Sequence, residues 1–305
     1  LGLVGSEMCI RDRKLDAKII SQKYIVEFEK DYASLKIPKP SFTPKCTDHI
    51  DDIIIFISEL IDNNFAYFNN GHVFFSIKKF NNYGKLSGKN IDDLLVGHRV
   101  KINDNKKNPL DFVLWKPSNG NDPGWESPWG YGRPGWHIEC SAMSSKLLGN
   151  NIDIHGGGID LVFPHHENEI AQSCSAHSNI DTPGSFAKYW VHNGFVIVDG
   201  EKMSKSIGNI RLVHQLIKKH RGEVLRLALL STHYRQPLNW TGTAIEQARK
   251  TLDRLYRSLK ELENIKVEEG ITVQPPLKIL EALCDDLNTP KVLVELNALA
   301  DQAFK

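Results

Sequence analysis

The chain has 305 residues, 41% hydrophobic and 25% charged, the balance of an ordinary globular protein with room for two domains. Its 38 basic and 37 acidic residues nearly cancel, which excludes a chain-wide basic surface and makes any nucleic-acid surface a local one. Five scattered cysteines, an odd number, argue against a disulfide framework and for a reducing, cytoplasmic setting. No apolar run approaches the ~18 residues of a membrane span, and no secretory signal is evident.

Residues 1–13 (LGLVGSEMCIRDR) share no periodicity with the residues after them and read as a non-native leader. Helical spacing of Ile19, Ile20, Tyr24, Ile25 and Phe28 predicts an amphipathic helix over ~14–36, ended by Pro38 and Pro40. Thr47-Asp48 is the expected N-cap of a second helix over 50–61. Asn69-Asn70-Gly71 reads as a hairpin turn, and 81–89 as a polar loop. Asp111 to Trp115 is a short strand, followed by a Gly-, Pro- and Trp-rich loop. Then come a helix over ~135–148 closed by Gly149, a strand over 152–155 entering a Gly-Gly-Gly turn, and a helix with Pro164 at its first position running to about Ala176. Residues 189–198 are strand-like and end in an Asp199-Gly200 turn. Helices are expected at ~211–220, ~222–232, ~242–265, ~277–286 and from Thr289 onward. This order fits an α/β fold of the doubly wound kind followed by an α-helical region, with a domain boundary near 235–242.

Three groups carry chemistry. His165 and Glu169 are four apart, so on one helix both project from the same face. With Cys140 from the preceding helix they make a thiolate, imidazole and carboxylate set suited to zinc. Spacing alone leaves a bland reading open: a cysteine is commonly a small core residue, and Glu167 and Glu169 could serve the helix dipole. Gly156-Gly157-Gly158 would let a ligand approach backbone closely, or simply make a tight turn. The loop Lys202-Met203-Ser204-Lys205-Ser206 offers mobile cations and hydroxyls for a transferring phosphoryl group; a solvated loop is its plainer reading.

The stretches GRPGWHIECSAM, DIHGGGIDLVFPHHENEIAQS and EKMSKSIGN, in this order, resemble the cysteinyl-tRNA synthetases of class I. The likeness runs from about Lys18 to the chain end and includes NPLDFVLWK, HYRQPLNW and LCDDLNTP. It implies a Rossmann-type nucleotide-binding domain with a connective insertion, over 14–240, and the start of a helical tRNA-binding domain over 241–305. It implies ATP-dependent activation of L-cysteine to cysteinyl-adenylate and transfer to tRNA(Cys), with no membrane partner. By resemblance, Cys140, His165 and Glu169 hold zinc, which selects the substrate thiolate. Lys205 is the ATP-binding lysine, supported by Lys202 and Ser204, with Mg2+ accompanying ATP. Trp136 walls the cysteine pocket, and His155, Gly157 and Asp160 lie near the adenylate. His166 and Glu167 read as outer contacts of the metal site or helix surface.

The sequence contains no HIGH signature and no further cysteine in the family's pattern; Cys9 and Cys46 stand in other contexts. The resemblance therefore implies a piece that lacks the HIGH region, the fourth zinc ligand and the anticodon-binding end, and that is inactive alone. Rival readings are the cysteine ligase of mycothiol biosynthesis and a non-catalytic, synthetase-derived zinc or RNA-binding module. A zinc hydrolase is disfavoured, because HHENE lacks the HExxH order.

Overall fold

The computed structural model describes residues 17–90, 105–120, 122–177, 183–204, 206–265 and 274–304. Residues 1–13, read above as a leader, and Lys205 lie outside the described residues. The chain divides into two compact units, one of Leu1–Pro40 with Asn193–Lys305 and the other Ser41–His192. The expected boundary near 235–242 falls inside the first of them.

The central unit begins with α2 (Ile50–Asp62), following α1 (Ala17–Ser34) of the other unit. The apolar positions Ile50, Ile53, Phe56, Ile57 and Leu60 recur at helical spacing and are all buried. His49, not Thr47 or Asp48, occupies the N-cap, because Cys46–Asp48 turns as a short 3-10 segment. β1 (Ala66–Asn69) and β2 (His72–Phe75) form the expected hairpin, with positive φ at Asn70 and Gly71. β3 (Phe112–Pro117) and β4 (Gly132–Pro134) complete an antiparallel sheet in the order β1-β2-β3-β4. Phe75, Leu114 and Trp115 from this sheet join the α2 residues in one core.

α3 (Trp136–Leu148) and α4 (Glu167–Ala176) add Ile138, Ala142, Ile170 and Ala171 to that core. Gly149 ends α3 as expected. Between these helices runs β5 (Ile152–Gly158), paired with β6 (Ala187–Asn193). The triple glycine is therefore not a turn. All three residues belong to β5, and none has positive φ. Pro164 also departs from expectation: it lies in a kinked segment, Val162–His166, and regular helix begins only at Glu167. A short helix, α5 (Pro183–Phe186), leads into β6.

The other unit carries β7 (Val196–Val198), β8 (Glu201–Lys202) and β9 (Leu238–Trp240), in the order β8-β7-β9. The single strand expected over 189–198 is thus two, broken where the Gly194 N–H turns to the Tyr234 carbonyl at 2.7 Å. β7 and β9 are parallel, and parallel neighbours need a crossover. Here it includes α6 (Val213–Leu216) and α7 (Gly222–Leu230). α6 is far shorter than expected, since the run Lys218-Lys219-His220-Arg221 offers no further apolar face. Val224, Leu225 and Ala228 of α7 pack with Val198, Trp240, Ile245 and Ala248. α8 (Gly242–Glu261) is capped by Thr241, whose hydroxyl accepts the Ala244 N–H at 3.0 Å. α9 (Leu277–Cys284) and α10 (Thr289–Ala303) follow. The described strands thus form three small sheets rather than one continuous sheet, within an α/β and then α-helical order.

Candidate metal centre and phosphate-binding loop

α4 shows where the chemistry is. Its sequence, ENEIAQSCSA, reads as a surface helix, yet nine of its ten residues are buried. Burying Glu167, Asn168, Glu169, Gln172, Ser173 and Ser175 is costly unless each is matched by partners. Glu167 and Gln172 are fully buried, and the Glu169 side chain is only 1% exposed.

Donor atoms of Cys140, His165 and Glu169 all lie within 4.8 Å of one another. A second trio, His155, His166 and Glu169, shares the same carboxylate and the same limit. The Glu169 Oε1 is 3.1 Å from His165 Nε2, and its Oε2 is 2.7 Å from His155 Nε2. Neither oxygen has a donor aligned for a hydrogen bond, despite these short distances. Imidazole nitrogens and carboxylate oxygens therefore crowd one point, as around a cation. The first trio fits zinc better, because it alone includes a thiol.

The electrostatics agree. Burial pushes the Glu169 carboxyl up, but His155 and His165 outweigh it and hold the group at about 2. His155 and His165 thus favour the charged form of the buried Glu169. Burial raises the Cys140 thiol, and the charges of Glu169 and Glu139 raise it further. Such a thiol becomes a good ligand only beside a cation. Burial lowers His166 to about 4 against the pull of Glu169, and burial with His165 lowers His137 to about 4. Both rings are neutral at pH 7.

Outer contacts set the ring orientations. His137 Nδ1 lies 2.7 Å from His165 Nδ1, which leaves the His165 Nε2 facing Glu169. His166 Nδ1 lies 2.8 Å from His192 Nε2. Trp136 is 55% exposed, with its ring centroid 4.5 Å from that of His165, so it walls the cluster on the solvent side. Gly157 is where a side chain cannot fit: a Cβ there would stand 2.9 Å from His166 Cε1. Asp160 is exposed on the short turn Ile159–Leu161 after β5. His166 and Glu167 are buried, so neither is helix surface.

The structure thus gathers Trp136, Cys140, His155, Gly157, His165 and Glu169 around one point. Sequence reasoning passed over His137 and His192. His137 was legible as the residue one turn before Cys140; His192 lies in a strand and left no periodic trace.

The lysine loop belongs to the other unit. Lys202 ends β8, with its Nζ 4.6 Å from the Phe195 ring centroid. Asn209 fastens the loop: its Oδ1 accepts the Ser204 N–H at 2.8 Å and its Nδ2 donates to the Lys202 carbonyl at 3.3 Å. The Ser204 Oγ accepts the Ile207 N–H at 3.3 Å and lies 3.1 Å from Ser206 Oγ. This leaves hydroxyls and a lysine on a loop tied down at its base.

The family model of the class I (C) tRNA synthetase catalytic domain matches residues 9–250. The chain belongs to that family. A Cysteine--tRNA ligase of Parvibaculum lavamentivorans is 50% identical over 293 residues, covering 96% of this chain and 62% of that protein. A Cysteine--tRNA ligase of Rhodospirillum rubrum is 52% identical, covering 88% and 57%. The chain therefore spans about three fifths of the length of these curated relatives. Among solved structures, Mycobacterium tuberculosis methionyl-tRNA synthetase in complex with methionyl-adenylate superposes with a TM-score of 0.67 at 14% identity, covering 97% of this chain and 71% of that one. That likeness shows the class I synthetase fold, Rossmann-like α/β followed by helices. Among the described residues no helix is long and apolar enough to cross a membrane.

Proposed function

We propose that the protein of which this chain is part is a cytoplasmic cysteine–tRNA ligase. It would condense L-cysteine with ATP, releasing pyrophosphate, and pass the cysteinyl group from the adenylate to the terminal ribose of tRNA(Cys). The observation that carries this reading is the convergence of Cys140, His165 and Glu169 beside the half-exposed Trp136.

Zinc held by those three side chains would supply a soft centre for the substrate thiolate, which a serine hydroxyl matches poorly. The residues themselves prepare the place. Glu169 provides fixed negative charge. The His137 contact orients His165. Trp136 offers an apolar face to a small side chain. His155 spans Glu169 and the β5 glycines, so we assign His155, Gly157 and Asp160 to the adenylate side. Lys202, Ser204 and Lys205 are assigned to the ATP phosphates with Mg2+; Asn209 holds the loop that bears them. The names of the relatives favour tRNA over an amino sugar as acceptor. The 305 residues contain no HIGH signature, so the reaction is assigned to the whole protein and not to this polypeptide by itself.

Aminoacylation by the full-length protein tests the reading. Cysteine esterified to tRNA(Cys), with serine rejected by at least ~100-fold, supports it. Transfer of cysteine to an amino sugar, or equal use of serine, contradicts it.

A further inference from the structure

We propose that Glu167 is a positioning residue for the metal centre, and that it acts by clamping the loop 83–89 against the start of α4. The inference rests on the metal reading above.

Glu167 stands two residues after His165 and two before Glu169, yet it faces a different neighbour. It is fully buried. Its Oε1 accepts the Gly84 N–H at 2.8 Å and its Oε2 accepts the Ser87 N–H at 3.0 Å. Next to it, Asn168 Oδ1 accepts the Tyr83 hydroxyl at 2.5 Å. The loop is closed on itself as well: the Lys89 N–H and the Ser87 hydroxyl both donate to the Gly84 carbonyl, at 3.1 and 3.3 Å. Only glycine allows that closure. Gly84 has φ +96°, and a Cβ there would stand 1.9 Å from the Lys89 carbonyl oxygen.

The same loop grips the other side of His165. Phe163 is the non-helical residue in the kink before Pro164 and His165. Lys89 Nζ lies 4.0 Å from the Phe163 ring centroid, and the Tyr83 ring meets it edge-on at 6.3 Å. One loop therefore holds the chain immediately before and immediately after His165.

This matters because α4 starts without a side-chain N-cap. The first turn must place His165 and Glu169 to within a fraction of an ångström for a metal to bind well. Residues around metal ligands that fix such geometry commonly affect affinity 10- to 100-fold. Coupling of this kind is reciprocal, so metal at the ligands must also hold the loop.

The test uses the 305-residue chain, zinc and cobalt. Glu167→Gln keeps the shape of the side chain, but its NH2 cannot accept the second amide N–H. We expect zinc affinity to fall about 10-fold and the cobalt ligand-field spectrum to change. Asn63→Ala is the control. It removes contacts of 3.0 Å to the Ser175 and Ala176 carbonyls at the far end of α4, and should lower stability with zinc affinity and spectrum unmoved. In the unmodified chain, zinc should slow hydrogen exchange at the Gly84 and Ser87 amides several-fold. Exchange that zinc does not alter overturns the proposal whatever the variants do. So does a folded Glu167→Gln chain with the affinity and spectrum of the unmodified one. Failure of the unmodified chain to take up zinc overturns the metal reading itself, and the clamp with it.

Discussion

His165 Nε2 and Glu169 Oε1 are 3.1 Å apart, one turn along the chain, with neither aligned to donate to the other. Both atoms border the space that the Cys140 thiol also faces, the three donor atoms lying within 4.8 Å of one another. The arrangement makes sense when a cation is the shared partner.

Removing one ligand should therefore weaken metal binding without unfolding the unit. Cys140→Ser preserves size but loses the soft donor, and zinc affinity should drop at least ~10-fold. Metal content after equilibrium dialysis against graded zinc checks this. The core around α2, α3 and α4 rests on Ile53, Ile57, Ile138 and Ile170, so the melting profile of the metal-free protein should stay close to that of the unmodified chain.

Asp111 should be a stability residue and not a functional one. It is 1% exposed, and its carboxyl accepts the Tyr67 hydroxyl at 2.7 Å and the N–H groups of Ile77 and Asn108, each at 3.1 Å. Asp111→Ala leaves three donors without this acceptor and should cost about 3 kcal/mol in urea unfolding. Zinc affinity of the folded fraction should not change.

Much of this was legible in the sequence. The hairpin at Asn70-Gly71, the face of α2 and the stop at Gly149 obey local rules that tertiary context did not override. Spacing joined only His165 with Glu169 and left a bland reading open for Cys140; the resemblance supplied the trio as ligands, because its members lie on α3, in the kinked segment Val162–His166 and on α4. The triple glycine misled. Read alone it signals a turn, whereas its need for glycine comes from the His166 ring packed against Gly157, a neighbour distant in local structure. α4 misled in the other direction. Its polar sequence suggests exposure, but Glu167 pairs with the loop amides, Asn168 with Tyr83, and Gln172 Oε1 with the Ser141 hydroxyl at 2.6 Å. Periodicity cannot register a helix buried through such pairs.

The lysine loop should depend on Asn209. In the full-length protein, Asn209→Ala releases both the Ser204 N–H and the Lys202 carbonyl from their anchor. Cysteine-dependent ATP–pyrophosphate exchange should fall about 10-fold through misplacement of the loop. Zinc content should be unchanged. Undiminished exchange would show that the loop does not need this fastening.

The 305-residue polypeptide, tested by itself, should give no cysteine-dependent ATP–pyrophosphate exchange above background. Its sequence holds the lysine loop and the metal trio but no HIGH signature to position the phosphates. Exchange clearly above background would mean that the residues present suffice.

The most direct measurement is cobalt titration of this chain with subsequent addition of L-cysteine or L-serine. Cobalt should enter the Cys140, His165 and Glu169 site, cysteine should strengthen the thiolate-to-cobalt charge-transfer absorption, and serine should leave it unchanged. Equal responses to the two amino acids, or cobalt uptake that survives Cys140→Ser and Glu169→Ala together, would contradict this reading of the site.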